Sequence, residues 1–375
     1  MRTNLRCRRS APAQAGFGLV EIMVGVVIGM IAVLVIFQVY NVAEGFKRNT
    51  TAYGEAEQAG LFSTFVMGME IGDAGTGLNT AATDLQWCTD TGNIATSFRP
   101  IPVLITDGGG AANSDTIVVN YSVASTLVTT APFTSPAGLA QSYQVQSPGG
   151  FHAGDLIVGI QSLGAPTNCA ASTATAVSAP NGLGEVTITQ TGTALNFTTS
   201  SWLFNMGPCN RVQKLQYSVA NGVLSSTPLL NTSTANLANC GQPAAQPVNP
   251  LASNVLVMKA EYGINTSLSP ERELDTWVQA TAGGGWDPAT LLPAPITTIN
   301  QIKAVRIGVI VQSEQFDKTL GDYNWVLFDC TNANKATCPG RLTGTVAASA
   351  NPPGNWRFRK YETIIPLRNA IWNPT

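Results

Sequence analysis

The feature that most constrains this chain is the apolar run from Phe17 to Val39, which carries one ionisable residue, Glu21. A hydrocarbon core about 30 Å thick is crossed by roughly 20 apolar residues in a helix rising about 1.5 Å per residue, so the run is long enough to span it. Residues 1–16 hold Arg2, Arg6, Arg8 and Arg9 and no acid, a bias that keeps this head on the cytoplasmic side. A basic head and an apolar body also describe a secretory signal. Three details argue against that reading. The run exceeds the usual h-region, Gln38-Val39-Tyr40-Asn41 closes it without a small-x-small cleavage site, and a carboxylate sits inside it. A lone carboxylate in hydrocarbon must be protonated or paired.

Gly16-Phe17-Gly18-Leu19-Val20-Glu21, behind a basic leader and ahead of the apolar run, resembles the class III signal of type IV prepilins. The resemblance implies that the prepilin peptidase cuts between Gly16 and Phe17 on the cytoplasmic side and N-methylates Phe17. The apolar helix is then retained as filament core. It also implies an assembly role for Glu21, neutralised in the filament by the new amine on Phe17 of a neighbouring subunit. Gly18 departs from the Thr more common at that position. The alternative from the residues alone is a single-pass anchor whose Glu21 snorkels near the interface.

A chain of 375 residues can bury a large core and form one or two domains beyond the anchor. Only 11% of residues are charged, which suits an exported β-rich protein better than a cytosolic enzyme. Without the leader arginines the chain holds 16 basic against 22 acidic residues, near −6, so no nucleic-acid partner is expected. Cys7 lies in the leader. The other six cysteines are an even set, read as disulfides of an oxidising compartment. Proximity favours Cys330–Cys338, then Cys209–Cys240, which leaves Cys88–Cys169. No C-x-x-C is present and His152 is the one histidine, so neither a metal site nor a cofactor is expected.

Past Val39 the helical pattern continues without proline as far as Arg99, and it turns amphipathic. One long helix is expected from Gly18 to Ile71, with Asp73-Ala74-Gly75-Thr76-Gly77 ending it. Leu61, Phe62, Phe65, Val66 and Met69 repeat at helical spacing and read as ordinary core. After Gly77 short β-rich runs alternate with turn signals, the sharpest being Asn221-Gly222 between two strands. The expected domains are a leader over 1–16, a membrane-spanning half-helix over 17–39, an amphipathic half over 40–76 and a β-rich exported domain over 77–375.

Several of these runs resemble the PilW family of minor pilins, which is related to the J-type minor pseudopilins of type II secretion. They are Ser114-Asp115-Thr116-Ile117, Phe151-His152-Ala153-Gly154-Asp155-Leu156-Ile157, Val257-Met258-Lys259-Ala260-Glu261-Tyr262-Gly263, Ile302-Lys303-Ala304-Val305-Arg306-Ile307-Gly308 and the closing Arg359 to Asn369. The resemblance implies an α+β, pilin-like fold in which the long helix packs on an antiparallel β-rich domain. It implies a minor pilin that primes or joins type IV pilus assembly near the tip, serving twitching motility or cell adhesion. Its partners are then the prepilin peptidase, other minor and major pilins, the inner-membrane assembly platform and the membrane. Its place is the inner membrane, single pass, and afterwards the pilus. The rivals are a J-type pseudopilin and a pilus-associated adhesin.

No catalytic set is legible. With one histidine neither a His-based triad nor a two-His metal site is expected, and Gly283-Gly284-Gly285 lacks the Lys and Ser/Thr of a phosphate cradle. Glu271, Glu273 and Asp275 offer oxygen ligands but not the dense spacing of a calcium loop. Trp286, Trp356 and Trp372 sit among Gly, Pro and Asn and are the better candidates for exposed adhesive aromatics.

Overall fold

The computed structural model describes residues 18–76, 101–122, 130–135, 142–146, 149–160, 169–191, 197–237, 240–241, 247–266, 274–294, 296–329 and 340–368. It opens with one helix, α1 (Leu19–Gly72). The first strands are β1 (Val103–Thr106), β2 (Thr116–Ser122), β3 (Thr130–Pro132), β4 (Ser142–Gln146), β5 (Asp155–Ile160), β6 (Cys169–Val177) and β7 (Glu185–Gln190). Next come β8 (Trp202–Pro208), β9 (Val212–Ala220), β10 (Val223–Pro228), β11 (Asn249–Ala252), β12 (Val255–Ile264) and β13 (Thr276–Gln279). Two single-turn helices, α2 (Pro288–Leu291) and α3 (Ile296–Ile299), lead into β14 (Ile302–Asp317), β15 (Tyr323–Leu327), β16 (Leu342–Val346), β17 (Ser349–Ala350) and β18 (Pro353–Pro366). The chain divides into two compact units, Met1–Ala52 and Tyr53–Thr375.

Among the described residues every strand pairing is antiparallel. One five-stranded sheet runs β1-β2-β9-β10-β11, a second β13-β12-β14-β18-β17, and a six-stranded sheet β3-β8-β5-β6-β7-β4. Strand β14 is long because Ile302–Gln312 is mostly apolar and β-branched and holds no proline, and both its neighbours pair along it. The β9–β10 hairpin turns at Asn221 (φ 51°) and Gly222 (φ 75°), the two left-handed residues a type I′ turn requires.

Within the larger unit the segment Tyr53–Gly72 of α1 lies against the first two sheets. Ala56, Met67 and Ile71 join Ile105, Ile117, Tyr217, Met258, Tyr262, Val305, Ile307 and Ile365 in one core. The helix stops where Gly75 takes φ 82° and donates its N–H to Asn120 O at 2.8 Å. The six-stranded sheet has its own apolar clusters. In one, Phe133, Tyr143 and Phe197 pack with ring centroids 4.8–5.3 Å apart. In the other, Cys209 and Cys240 form a disulfide with Cα atoms 5.8 Å apart.

This is the α+β, pilin-like architecture expected, a long helix packed on antiparallel sheets. The stripe read as core is a correction. Leu61, Phe62, Phe65 and Met69 are exposed and Val66 is half-buried, while the core takes Ala56, Ser63, Met67 and Ile71 from the opposite side of the turn. Periodicity located an apolar face but did not say which of two faces the sheets cover. The Gly- and Pro-bearing stretches 281–295 and 347–354 are not wholly irregular: the first contains α2 and the second β17.

The close approach of helix and sheet centres on Gly60, where a Cβ would overlap the Tyr361 ring of β18. Alanine is the better helix former by about 1 kcal/mol, yet Gly60→Ala is expected to destabilise the domain by about 1–3 kcal/mol, the usual cost of overpacking. Thermal unfolding of the full chain in detergent checks the sign.

Candidate assembly site

The smaller unit holds the apolar helix. Every residue from Gly18 to Ala43 is exposed, Leu19, Ile22, Val27, Leu34 and Phe37 among them. A helix apolar all round is stable only when lipid or other helices surround it. It is, among the described residues, the one helix long and apolar enough to cross a membrane. Glu21 stands in its first turn, with its N–H donated to Gly18 O at 2.9 Å. Gly16 and Phe17 lie outside the described residues. Further along, Arg48 pairs with Glu44 at 3.1 Å one turn back.

The larger unit carries its charges inside. On β12 alternate residues face opposite ways, so Met258, Ala260 and Tyr262 enter the helix-side core while Val257, Lys259 and Glu261 share the other face. Glu261 lies directly across from Arg306 of β14, Nη2 to Oε2 at 2.5 Å and Nε to Oε2 at 2.7 Å. The guanidinium is held between the rings of Trp277 and Phe328, 4.6 and 4.5 Å from their centroids. Burial pushes the Glu261 carboxyl up to about 7, against the Arg306 guanidinium and the Gln279 side chain, which pull it down.

Lys259, also buried, bonds Asp115 Oδ1 at 2.6 Å and Asp107 Oδ1 at 3.2 Å. Asp115 sits in the loop before β2 and does more than neutralise the ammonium. Its Oδ2 accepts the Ala260 N–H at 2.8 Å, its own N–H goes to Met258 O at 2.8 Å, and Ser114 Oγ accepts the Met258 N–H at 3.1 Å. Strand β13 pairs β12 only from Glu261 to Ile264. The Ser114-Asp115 pair therefore closes the part of the β12 edge that β13 leaves open. Tyr262, inside the core, accepts the Ile105 N–H on its hydroxyl at 2.5 Å.

These contacts explain the sequence runs singled out above. Ser114-Asp115-Thr116 and Lys259-Ala260-Glu261-Tyr262 are the pieces that tie the first sheet to the second, and Val305-Arg306-Ile307 carries the ion pair inside the second. The sequence reading did not identify the ion pairs; the signal was Lys259, Glu261 and Arg306 standing within otherwise largely apolar strands.

His152 is exposed on a cleft of about 320 Å³ also lined by Gly154, Asp155, Asn205 and Leu237. Its Nδ1 is 3.8 Å from Asp155 Oδ2. Buried Asp155 uses that oxygen to accept the His152 N–H at 2.7 Å and the Asn205 amide at 2.8 Å, which locks the entry to β5. Asp275 accepts the Thr266 N–H and hydroxyl at 2.7 and 2.6 Å; Glu271 and Glu273 lie outside the described residues. Cys169 is disulfide-bonded, and Cys88, Cys330 and Cys338 lie outside the described residues. Trp286 and Trp356, read as exposed, are half-buried, near the Tyr262 ring and edge-on to Phe316 respectively. Trp372 is outside the described residues.

Two family models match the chain. Residues 216–369 match Type IV Pilus-assembly protein W, and residues 12–37 match the prokaryotic N-terminal methylation motif. The first match covers the whole second sheet with Lys259, Glu261 and Arg306; the second covers the start of the exposed apolar helix. No curated protein and no solved structure matches the chain significantly.

Arg306→Met strands the Glu261 carboxylate in the interior and is expected to cost about 3–5 kcal/mol. The pH dependence has a defined sign. The folded-state pKa of Glu261 lies above its ordinary 4.5, so the folded chain keeps a proton that the unfolded chain releases. Glu261 therefore contributes stability that is lost as pH rises from about 4.5 to about 7. The Tm of the unmodified protein is expected to fall across that window more steeply than that of Glu261→Gln, measured by thermal unfolding at a series of pH values.

Proposed function

We propose that this chain, a PilW-family prepilin by its two matched regions, is a minor pilin that helps to start the type IV pilus from its tip. One observation carries the reading: the methylation motif overlies the start of a helix that is apolar and exposed on every side from Gly18 to Ala43. Such a surface has no stable place in water. A membrane, then a bundle of like helices, supplies the two environments that a subunit needs as it moves into a filament.

In this reading residues 1–16 are removed and Phe17 becomes the N-methylated first residue. Glu21, the single carboxylate of the apolar run, then receives the amine of a neighbouring subunit's first residue. The pair replaces two isolated charges, each costly in hydrocarbon, by one neutral contact, which favours correct axial register over a slipped one. The work of the protein is assembly. The β-rich unit supplies a rigid head, whose disulfides form once it has been exported. The pilus-assembly match over the second sheet favours the pilus over a secretion filament.

The mature N-terminus tests this. With the prepilin peptidase present, intact mass and terminal sequencing are expected to give a chain starting at N-methylated Phe17; without it, the leader stays on. A chain starting at Met1 in both strains, or cut beyond Val39, overturns the reading. Glu21→Val is expected to be processed normally yet to enter sheared pili about tenfold less, the loss of one contact worth about 1.4 kcal/mol.

A further inference from the structure

Lys259 is 2% exposed and Asp115 4%, so an amine and a carboxyl meet inside the protein, Nζ to Oδ1 at 2.6 Å. In so dry a place the neutral pair, amine and carboxylic acid, competes with the ion pair. A second carboxyl stands beside them, with Asp107 Oδ1 3.2 Å from the same Nζ. Gly108 lets the two acids approach, since a Cβ there would overlap the Ser114 carbonyl. Their surroundings differ. Burial pushes the Asp115 carboxyl above its ordinary range, against Lys259 and the N–H groups of Gly108 and Ala260. Partial burial acts on Asp107 in the same sense, but the Gly109 N–H, Lys259 and Asp115 outweigh it and hold Asp107 below that range. Two carboxyls set apart in this way divide the work: the first is protonated and open to attack, the second is a base.

We infer that Lys259 and Asp115 condense to an isopeptide bond, with Asp107 carrying the proton. A proton crosses the 2.6 Å contact from Nζ to Oδ1, which leaves an amine and a carboxylic acid. The Nζ lone pair adds to Cγ of Asp115, and Asp107 takes a proton from the nitrogen. The negative oxygen that forms is Oδ2, to which the Ala260 N–H already donates at 2.8 Å. The Cγ–Oδ1 bond then breaks. Oδ1, which accepts the Gly108 N–H at 3.0 Å, leaves as water with the proton that Asp107 returns. The products are a neutral amide, one water and the original Asp107 carboxylate, and no other reactant is consumed. The Asp107 side chain is 19% exposed and marks the way out for the water. Groups held in contact react as if at very high concentration, so the bond forms once the two sheets have closed. It joins positions 144 apart and turns the fastening of the loop before β2 to strand β12 into a covalent tie. It forms whether or not the chain enters a filament.

The test is a peptide map of the full chain, purified from its host's membranes in detergent, then reduced, denatured and digested with trypsin and chymotrypsin. Sequencing by mass spectrometry is expected to find a branched peptide, the Lys259 side chain joined to the peptide that contains Asp115. Its mass is expected to be lower by one water than the sum of its parts, and trypsin does not cut after Lys259. The two peptides found separately, at unmodified masses and with cleavage after Lys259, overturn the inference. The map needs no variant, so it decides even where a substitution unfolds the chain. In a pulse-chase read on reducing, denaturing gels the joined chain, a closed loop, runs apart from the linear one. Asp107→Asn is expected to join about a hundredfold more slowly, the usual loss with a proton carrier. Lys259→Arg keeps a cation beside Asp115 without a nucleophilic amine and is expected to give the linear band alone. An unchanged rate in Asp107→Asn, or a joined band in Lys259→Arg, overturns the assignment.

Discussion

Half of one strand edge governs the architecture of the larger unit. Strand β12 is central, paired along its length with β14, but β13 covers only its last four residues. The N–H groups of Met258 and Ala260 and the carbonyl of Met258 would otherwise be buried without partners, each a cost of about 1–3 kcal/mol. Ser114 and Asp115 satisfy all three. The same carboxylate neutralises Lys259, so one short loop both completes the second sheet and fastens the first sheet to it. The core that receives Ala56, Met67 and Ile71 of the helix lies between the two sheets thus joined.

Buried charge then fixes what apolar packing leaves free. A β-strand slipped by one residue exchanges its faces, and a strand apolar on both faces, as Ile307–Val311 is, tolerates that slip better than an alternating one. Arg306 removes the tolerance. Only one register sets it opposite Glu261 with aromatic rings above and below. Burial holds the Asp115 carboxyl above its ordinary range, against Lys259 and the amides of Gly108 and Ala260, a sign of how dry this seam is.

Much of this was legible in the residues. The helix bounds followed from an apolar run without proline, and Asn221-Gly222 announced its hairpin because few other pairs accept two positive φ angles. Glu185–Gln190 and Thr116–Ser122 alternate or run apolar as strands do. Strand β6, Cys-Ala-Ala-Ser-Thr-Ala-Thr-Ala-Val, was missed because its small residues carry almost no strand preference and are held there by burial between β5 and β7. Strands β3, β11 and β13 are three or four residues long, too short for a period to register. The ion pairs were illegible for a different reason: a lone charge in a strand reads as a solvent-facing residue until its partner, 45 to 152 positions away, is known. The two faces of Tyr53–Gly72 follow the same rule, since sequence spacing counts faces without saying which are covered.

The fastening of Asp115 to Ala260 has a temporal side. It joins residues 145 apart in sequence, and β18, the final strand, lies inside the second sheet between β14 and β17. Contacts of such long range form slowly, and this sheet cannot close until the last strand has been synthesised. The apolar helix is the first element to leave the ribosome and the β-sheets are the last to consolidate. The helix is thus made before the sheets that its Tyr53–Gly72 segment packs against can close, and for that interval its covered face is as bare as its exposed one.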